Sequence, residues 1–155
     1  MSLQHYQKPL LLACSDRIDL LKQLRDSNAY IDFTQGLDIR FMDRESAEII
    51  NNIKVKNIHF AWDNANNDLT DKFARYAEIT THKAHGAYGT VYVLTNYHSD
   101  MHENLYRIYT LRDLGYDPYV MIYDKPHAPR EIKRLQRWCN NRIIFKSCRD
   151  FKDYK

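Results

Sequence analysis

The sequence predicts an α/β fold built on parallel strands, and three observations carry that expectation. Four runs have strand character: "YIDFT" from Tyr30, "NIHFAW" from Asn57, "TVYVLT" from Thr90 and "PYVMIY" from Pro118. Their first residues lie 27 to 33 positions apart, the length of a strand–helix unit. The segments between them repeat apolar residues at helical spacing. Strand and helix therefore alternate. A parallel neighbour can be reached only by a crossover long enough to hold a helix, and that crossover is right-handed.

Each element has its own local reason. "SDRIDLLKQLRDSN" places Ile18, Leu20, Leu21 and Leu24 at helical spacing, with Ser15 or Asp16 set to cap the start. "DRESAEIINNI" follows Asp43 in the same way, and "NDLTDKFARYAEIT" follows the second strand. "DMHENLYRIYTLRDLGY" ends at Gly115, a residue suited to a helix C-cap. "PREIKRLQRWCNN" opens beside Pro129 and leads into a short run, "RIIF".

Side-chain parity separates the two faces of the sheet. Ile31 and Phe33, then Ile58, Phe60 and Trp62, Val91 and Val93, and Val120 and Ile122 share one apolar face. The other carries Asp32 and Thr34, His59 and Asp63, Tyr92 and Asn96, and Tyr119 and Tyr123. A sheet covered on both sides needs two apolar faces. The pattern instead predicts a curved sheet whose concave side holds a site. Ligands of parallel α/β folds sit at the carboxyl ends of the strands, where "TQGLDIR", "WDNAN", "TNYHSD" and "YDKPHAP" fall. Any one of these polar residues is explained by a turn or a helix cap. Four polar tips together predict a rim.

At 155 residues the chain is read as one domain, and four Gly with four Pro leave little room for linkers. A formal charge of +3 is too small for a nucleic-acid footprint, and the basic stretches "REIKRLQRW" and "NNRIIFKSCRDFK" read as solvated helix faces. Cys14, Cys139 and Cys148 form no CxxC pair and leave one over, so neither a disulfide framework nor a zinc site is signalled. A reducing cytoplasm is the expected compartment. The apolar run "PLLLAC" is far short of a membrane span, and no membrane partner is expected. In "HSDMH", His98 and His102 are four apart, but Ser99 or Asp100 serves as an N-cap and leaves His98 outside the helix, so no metal is expected there. A glycine cradle for nucleotides is absent.

The stretches "DFTQGLDIR", "NIHFAWDN", "GTVYVLTNYHSDMHENLYRIYTLRDLGYDPYVMIYDKP" and "LQRWCNNRIIFKSCRDFKDY", in this order, resemble the C-terminal half of a group of radical S-adenosylmethionine (radical SAM) proteins. The resemblance covers nearly the whole chain from about Leu10. It implies part of a TIM-like barrel, with the four runs as strands about three to six of a six-stranded part-barrel and "PLLLACSD" as the end of the second. It also implies S-adenosylmethionine (SAM) and a [4Fe–4S] cluster as the cofactors of a full-length parent enzyme, whose substrate is not readable. The cluster is held in that superfamily by a CxxxCxxC loop, which this sequence lacks. No cofactor is therefore expected on the chain alone, and no activity. The chain is read as a fragment of a longer protein, with Met1, Ser2 and Leu3 as residues of an expression vector.

By the resemblance, Gln35, Asp38 and Arg40 would lie near the amino-acid part of SAM or the substrate. Arg40 would be a carboxylate clamp, unless it pairs on the surface with Asp43 or Glu45. Asp63 and Asn64 would stand at the ribose hydroxyls, with Asn96 ending the next strand and Asp124, beside Lys125, the last. A truncated barrel leaves a sheet edge unpaired, so self-association is expected near "YIDFT" or "PLLLAC". The other reading of the same rim is a stand-alone α/β module that binds a nucleotide-like ligand or a protein partner.

Overall fold

The computed structural model describes residues 11–155. Among them, four strands form one parallel sheet: β1 (Tyr30–Leu37), β2 (Lys54–Ala61), β3 (Thr90–Thr95) and β4 (Asp117–Ile122), in the spatial order β1-β2-β3-β4. Six α-helices accompany them: α1 (Arg17–Asp26), α2 (Arg44–Asn51), α3 (Thr70–Ile79), α4 (Met101–Asp113), α5 (Arg130–Asn140) and α6 (Arg142–Ser147). Each consecutive pair of strands is joined through one helix. Because the order never reverses, right-handed crossovers place all the connecting helices on the same side.

That side is the core. Phe33, Ile58, Phe60, Val91, Val93 and Val120 pack there against Leu21, Ile49, Ile50, Phe73, Tyr76, Ile108, Leu111, Leu135 and Trp138 from the helices. Phe60 is at its centre, with the rings of Phe73, Tyr76 and Tyr116 edge-on around it at 5.8, 5.2 and 6.2 Å. The alternate positions stay partly or wholly open: Asp32, Asn57, His59, Tyr92, Tyr119 and Met121. The two faces divide as side-chain parity predicts.

Local signals in the sequence account for most boundaries. Asp43 caps α2 by accepting from the Ser46 amide at 2.8 Å. Asp100 and Glu103 form a complete capping box on α4, and Gly115 follows its C-cap with φ +92°. Asp16 stands at the N-cap of α1, yet its side chain makes no capping bond. One expectation changes. Leu11–Ala13 form a 3₁₀ turn where "PLLLACSD" reads as a strand end, with Pro9 and Leu10 outside the described residues. "RIIF" begins helix α6, started by Asn141, whose side chain accepts from the amides of Ile143 and Ile144.

The sheet edges differ. On β4, both backbone groups of Val120 are satisfied by side chains of α5. Asn140 accepts from the Val120 amide at 2.7 Å, while Gln136 and Asn140 donate to its carbonyl at 3.0 and 3.1 Å. Two amides thus stand where a fifth strand would begin. On β1, no described strand lies beyond the one partner, β2.

Candidate functional site

The carboxyl end of β1 is not a simple strand tip. Phe33 pairs with Ile58 and Leu37 with Phe60, so four steps along β1 match two along β2. The surplus is absorbed as a bulge over Thr34–Gly36, where Gly36 takes φ +80°, a conformation that favours glycine. The bulge carries Gln35 out toward the rim and leads into Asp38, the N-cap of a 3₁₀ turn over Ile39–Phe41.

A cavity of about 220 Å³ opens between the tips of β1 and β2, lined by Gln35, Asp38, Arg40, Asp63 and Asn64 among others. A second, of about 250 Å³, lies between the tips of β2 and β3 and is lined by Asp63, Asn64, Asn66, Leu94, Tyr97 and His98. Asp63 and Asn64 border both. Five of the residues expected at the rim are therefore brought together. Asn96 and Asp124 do not line these two cavities. Asn96, at φ +61°, donates to the Tyr123 carbonyl at 2.9 Å and ties the tip of β3 to that of β4. Asp124, at φ +47°, is bonded to His127 Nδ1 at 2.9 Å.

The five differ in how free they are. Arg40 pairs with neither Asp43 nor Glu45: its Nε donates to both oxygens of Asp38, at 2.9 and 3.1 Å, and Asp43 is held by Arg17 at 2.8 Å. Burial works to raise the Asp38 carboxyl, but the hydrogen bonds and charge of Arg40 outweigh it and hold the group below the usual carboxylate range. Asn64 accepts from the Asn66 amide at 2.9 Å and so makes a turn. Gln35 and Asp63 have side chains with no hydrogen-bond partner among the described residues. The Asp63 residue keeps an exposed surface, yet burial of its carboxyl raises the pKa, with the charge of Arg107 opposing.

Arg107 lies directly beneath the rim and is 1% exposed. Its guanidinium donates to the Trp62 carbonyl at 2.7 Å, the Leu94 carbonyl at 2.9 Å and the Asn104 side-chain oxygen at 2.7 Å. It clamps the tips of β2 and β3 together, and burial lowers its pKa. Among the described residues no carboxylate pairs with it, so its positive charge is felt at the rim above. The sequence reading missed both Arg107 and Asn104. The available signal was polarity on an apolar stripe, since Asn104, Arg107, Ile108 and Leu111 fall at helical spacing on one face of α4.

The open face of the sheet continues below the rim. His59 Nδ1 lies 3.3 Å from the Phe33 carbonyl, just before the bulge. A carbonyl only accepts, so Nδ1 is the donor in this contact. The ring stacks on Tyr92 at 5.5 Å and 9°, and Tyr92 meets Tyr119 edge-on at 5.8 Å. Asn57 donates to Asp32 at 2.9 Å. Asp100 caps α4 and His98 lies before the helix at φ +46°. Among the described residues no three His, Cys, Asp or Glu side chains are grouped to hold a metal, and no helix is long and apolar enough to cross a membrane.

Fold and rim together define a class: a parallel α/β protein wound in one direction, with one open sheet face and two small cavities at the strand carboxyl ends. No family model, no curated protein and no solved structure matches this particular chain.

Proposed function

We propose that this chain is the C-terminal part of a radical SAM barrel, that its rim binds SAM, and that its open face turns toward the substrate. What supports the reading is the winding. A strand order of β1-β2-β3-β4 with every connecting helix on one side is that of a barrel sector, and it lacks the reversal at which doubly wound sheets bind their ligands. Closed into a barrel, the open face becomes the lumen.

The single observation that carries the ligand assignment is Asp63, a carboxylate without a hydrogen-bond partner among the described residues and shared by both rim cavities. In this reading Asp63 accepts from the ribose hydroxyls. Leu94 and Tyr97 offer an apolar and aromatic wall to the adenine. The Asp38–Arg40 pair presents both signs of charge to the zwitterionic methionyl end, and Gln35 adds an amide beside it. SAM supplies a reactive sulfonium when bound.

The cluster does not fit this chain. Cys14, Cys139 and Cys148 are dispersed, and burial pushes the Cys139 thiol up to about 12, away from the thiolate a cluster requires. The chain alone is expected to be inactive. SAM titrated into the ¹⁵N-labelled chain should shift amides at Gln35, Asp63 and Tyr97 saturably, and Asp63→Asn should weaken this. Absence of saturable shifts at millimolar SAM, together with a natural reading frame lacking any CxxxCxxC upstream, overturns the proposal.

A further inference from the structure

Behind the rim, on the helix side, a cleft of about 550 Å³ runs between α2 and α3. Arg17, Arg40 and Arg44 stand on one wall and Lys72 and Arg75 on the other, against only two carboxylates, Asp43 and Glu78. The pairing inside the cleft is uneven. Asp43 is already engaged on both oxygens, since it takes Arg17 at 2.8 Å and the Ser46 amide at 2.8 Å. Arg40 is spent on Asp38, and Arg44 reaches Glu48 only at 3.4 Å with both side chains exposed. Lys72 and Arg75, one helical turn apart, have no hydrogen bond or ion pair among the described residues. Arg17 Nε is buried with no acceptor among the described residues. Donors thus outnumber acceptors in a space of ligand size, and a buried N–H without a partner is costly to leave so.

The geometry points to a binding site for a phosphate-bearing small molecule in this cleft, outside the rim. The ligand must bring several acceptor oxygens within a short span to meet cations on two walls, which a phosphate or diphosphate does and a single carboxylate does not. The floor of the cleft, with Met42, Ala47 and Ile79, suits the organic part of such a molecule. Arg40 lines both this cleft and the rim cavity, so an anion bound here competes with Asp38 for the same guanidinium.

The test is a titration of the ¹⁵N-labelled full chain with pyrophosphate at constant ionic strength, with chloride as the reference anion. Saturable shifts confined to Met42, Arg44, Lys72 and Arg75 are expected. Lys72→Ala with Arg75→Ala, both exposed positions, should weaken binding about ten-fold, the loss set by two solvent-screened ion pairs. The pair Lys133→Ala with Arg137→Ala, on α5, should leave it unchanged. No saturation, or equal weakening by both pairs, overturns the site. Tighter binding of a short single-stranded oligonucleotide or of anionic phosphatidylserine vesicles, with shifts spreading beyond the cleft, also overturns it in favour of a polyanion surface.

Discussion

His59 and Phe60 are neighbours on β2, yet they belong to different physical environments. Phe60 is fully buried among three rings on the helix side, while His59 is half-buried on the open face, held by one carbonyl and one stacked tyrosine. The contrast extends along every strand. The covered face has apolar groups whose removal leaves a void, and the open face has polar and aromatic groups whose removal leaves room for water. Stability of the isolated chain resides on the first, and the proposed binding on the second and on the rim above it.

The largest expected difference is the direct one. Phe60→Ala should cost about 3–5 kcal/mol, the range for a buried aromatic cut to alanine. His59→Ala should cost under about 1 kcal/mol, as surface changes generally do. Chemical denaturation of both variants measures the difference, and equal losses would erase the division between the faces.

Arg107→Met tests whether the rim is held from the covered side. It leaves the carbonyls of Trp62 and Leu94 unpaired under the tips of β2 and β3. The expected loss is about 3 kcal/mol on the scale for buried unsatisfied groups, with amide shifts at Asp63 and Asn64. A stable variant whose rim is unperturbed would show that the clamp is dispensable.

Asp43 supplies a pH-dependent test on the helix layer. Burial works to raise its carboxyl, but the hydrogen bonds from Arg17 and Ser46 and the Arg17 charge together hold it at about 2, against an ordinary 3.8. A carboxyl depressed in the folded state contributes stability that is present above its ordinary value and is lost as pH falls from near 4 to near 2. Because Asp43 is well exposed, solvent screening reduces the contribution to about 1 kcal/mol. Asp43→Asn keeps a competent cap, so the variant should lose that pH dependence in acid denaturation while α2 stays folded.

The smallest effects concern rim and edge. Gln35→Ala should change stability by less than about 0.5 kcal/mol, since its side chain makes no hydrogen bond, and still reduce the SAM-dependent amide shifts. The side of β1 away from β2, which has no strand partner among the described residues, should give weak, concentration-dependent association in sedimentation. The β4 side is closed by Asn140 and Gln136 and should not contribute. A strictly monomeric profile at high concentration would make the two edges equivalent.

The sequence by itself determined the four strands, their parity, a cap at Asp43, a cap at Ser99 or Asp100 and the gathering of polar groups at the strand ends. These are local: a period of two, a side chain reaching its own backbone three residues on, a turn residue after an apolar run. Which rim residues are free was decided partly by a local turn and partly by tertiary structure. Arg40 went to Asp38 because the turn at Ile39–Phe41 brings them together, while Asp43 was already occupied by Arg17 from another helix. The bulge over Thr34–Gly36 came from register with β2, the closed edge of β4 from two amides of α5, and the burial of Arg107 from two carbonyls on separate strands. Each joins residues distant in the chain, and no periodicity encodes a partner that only folding supplies.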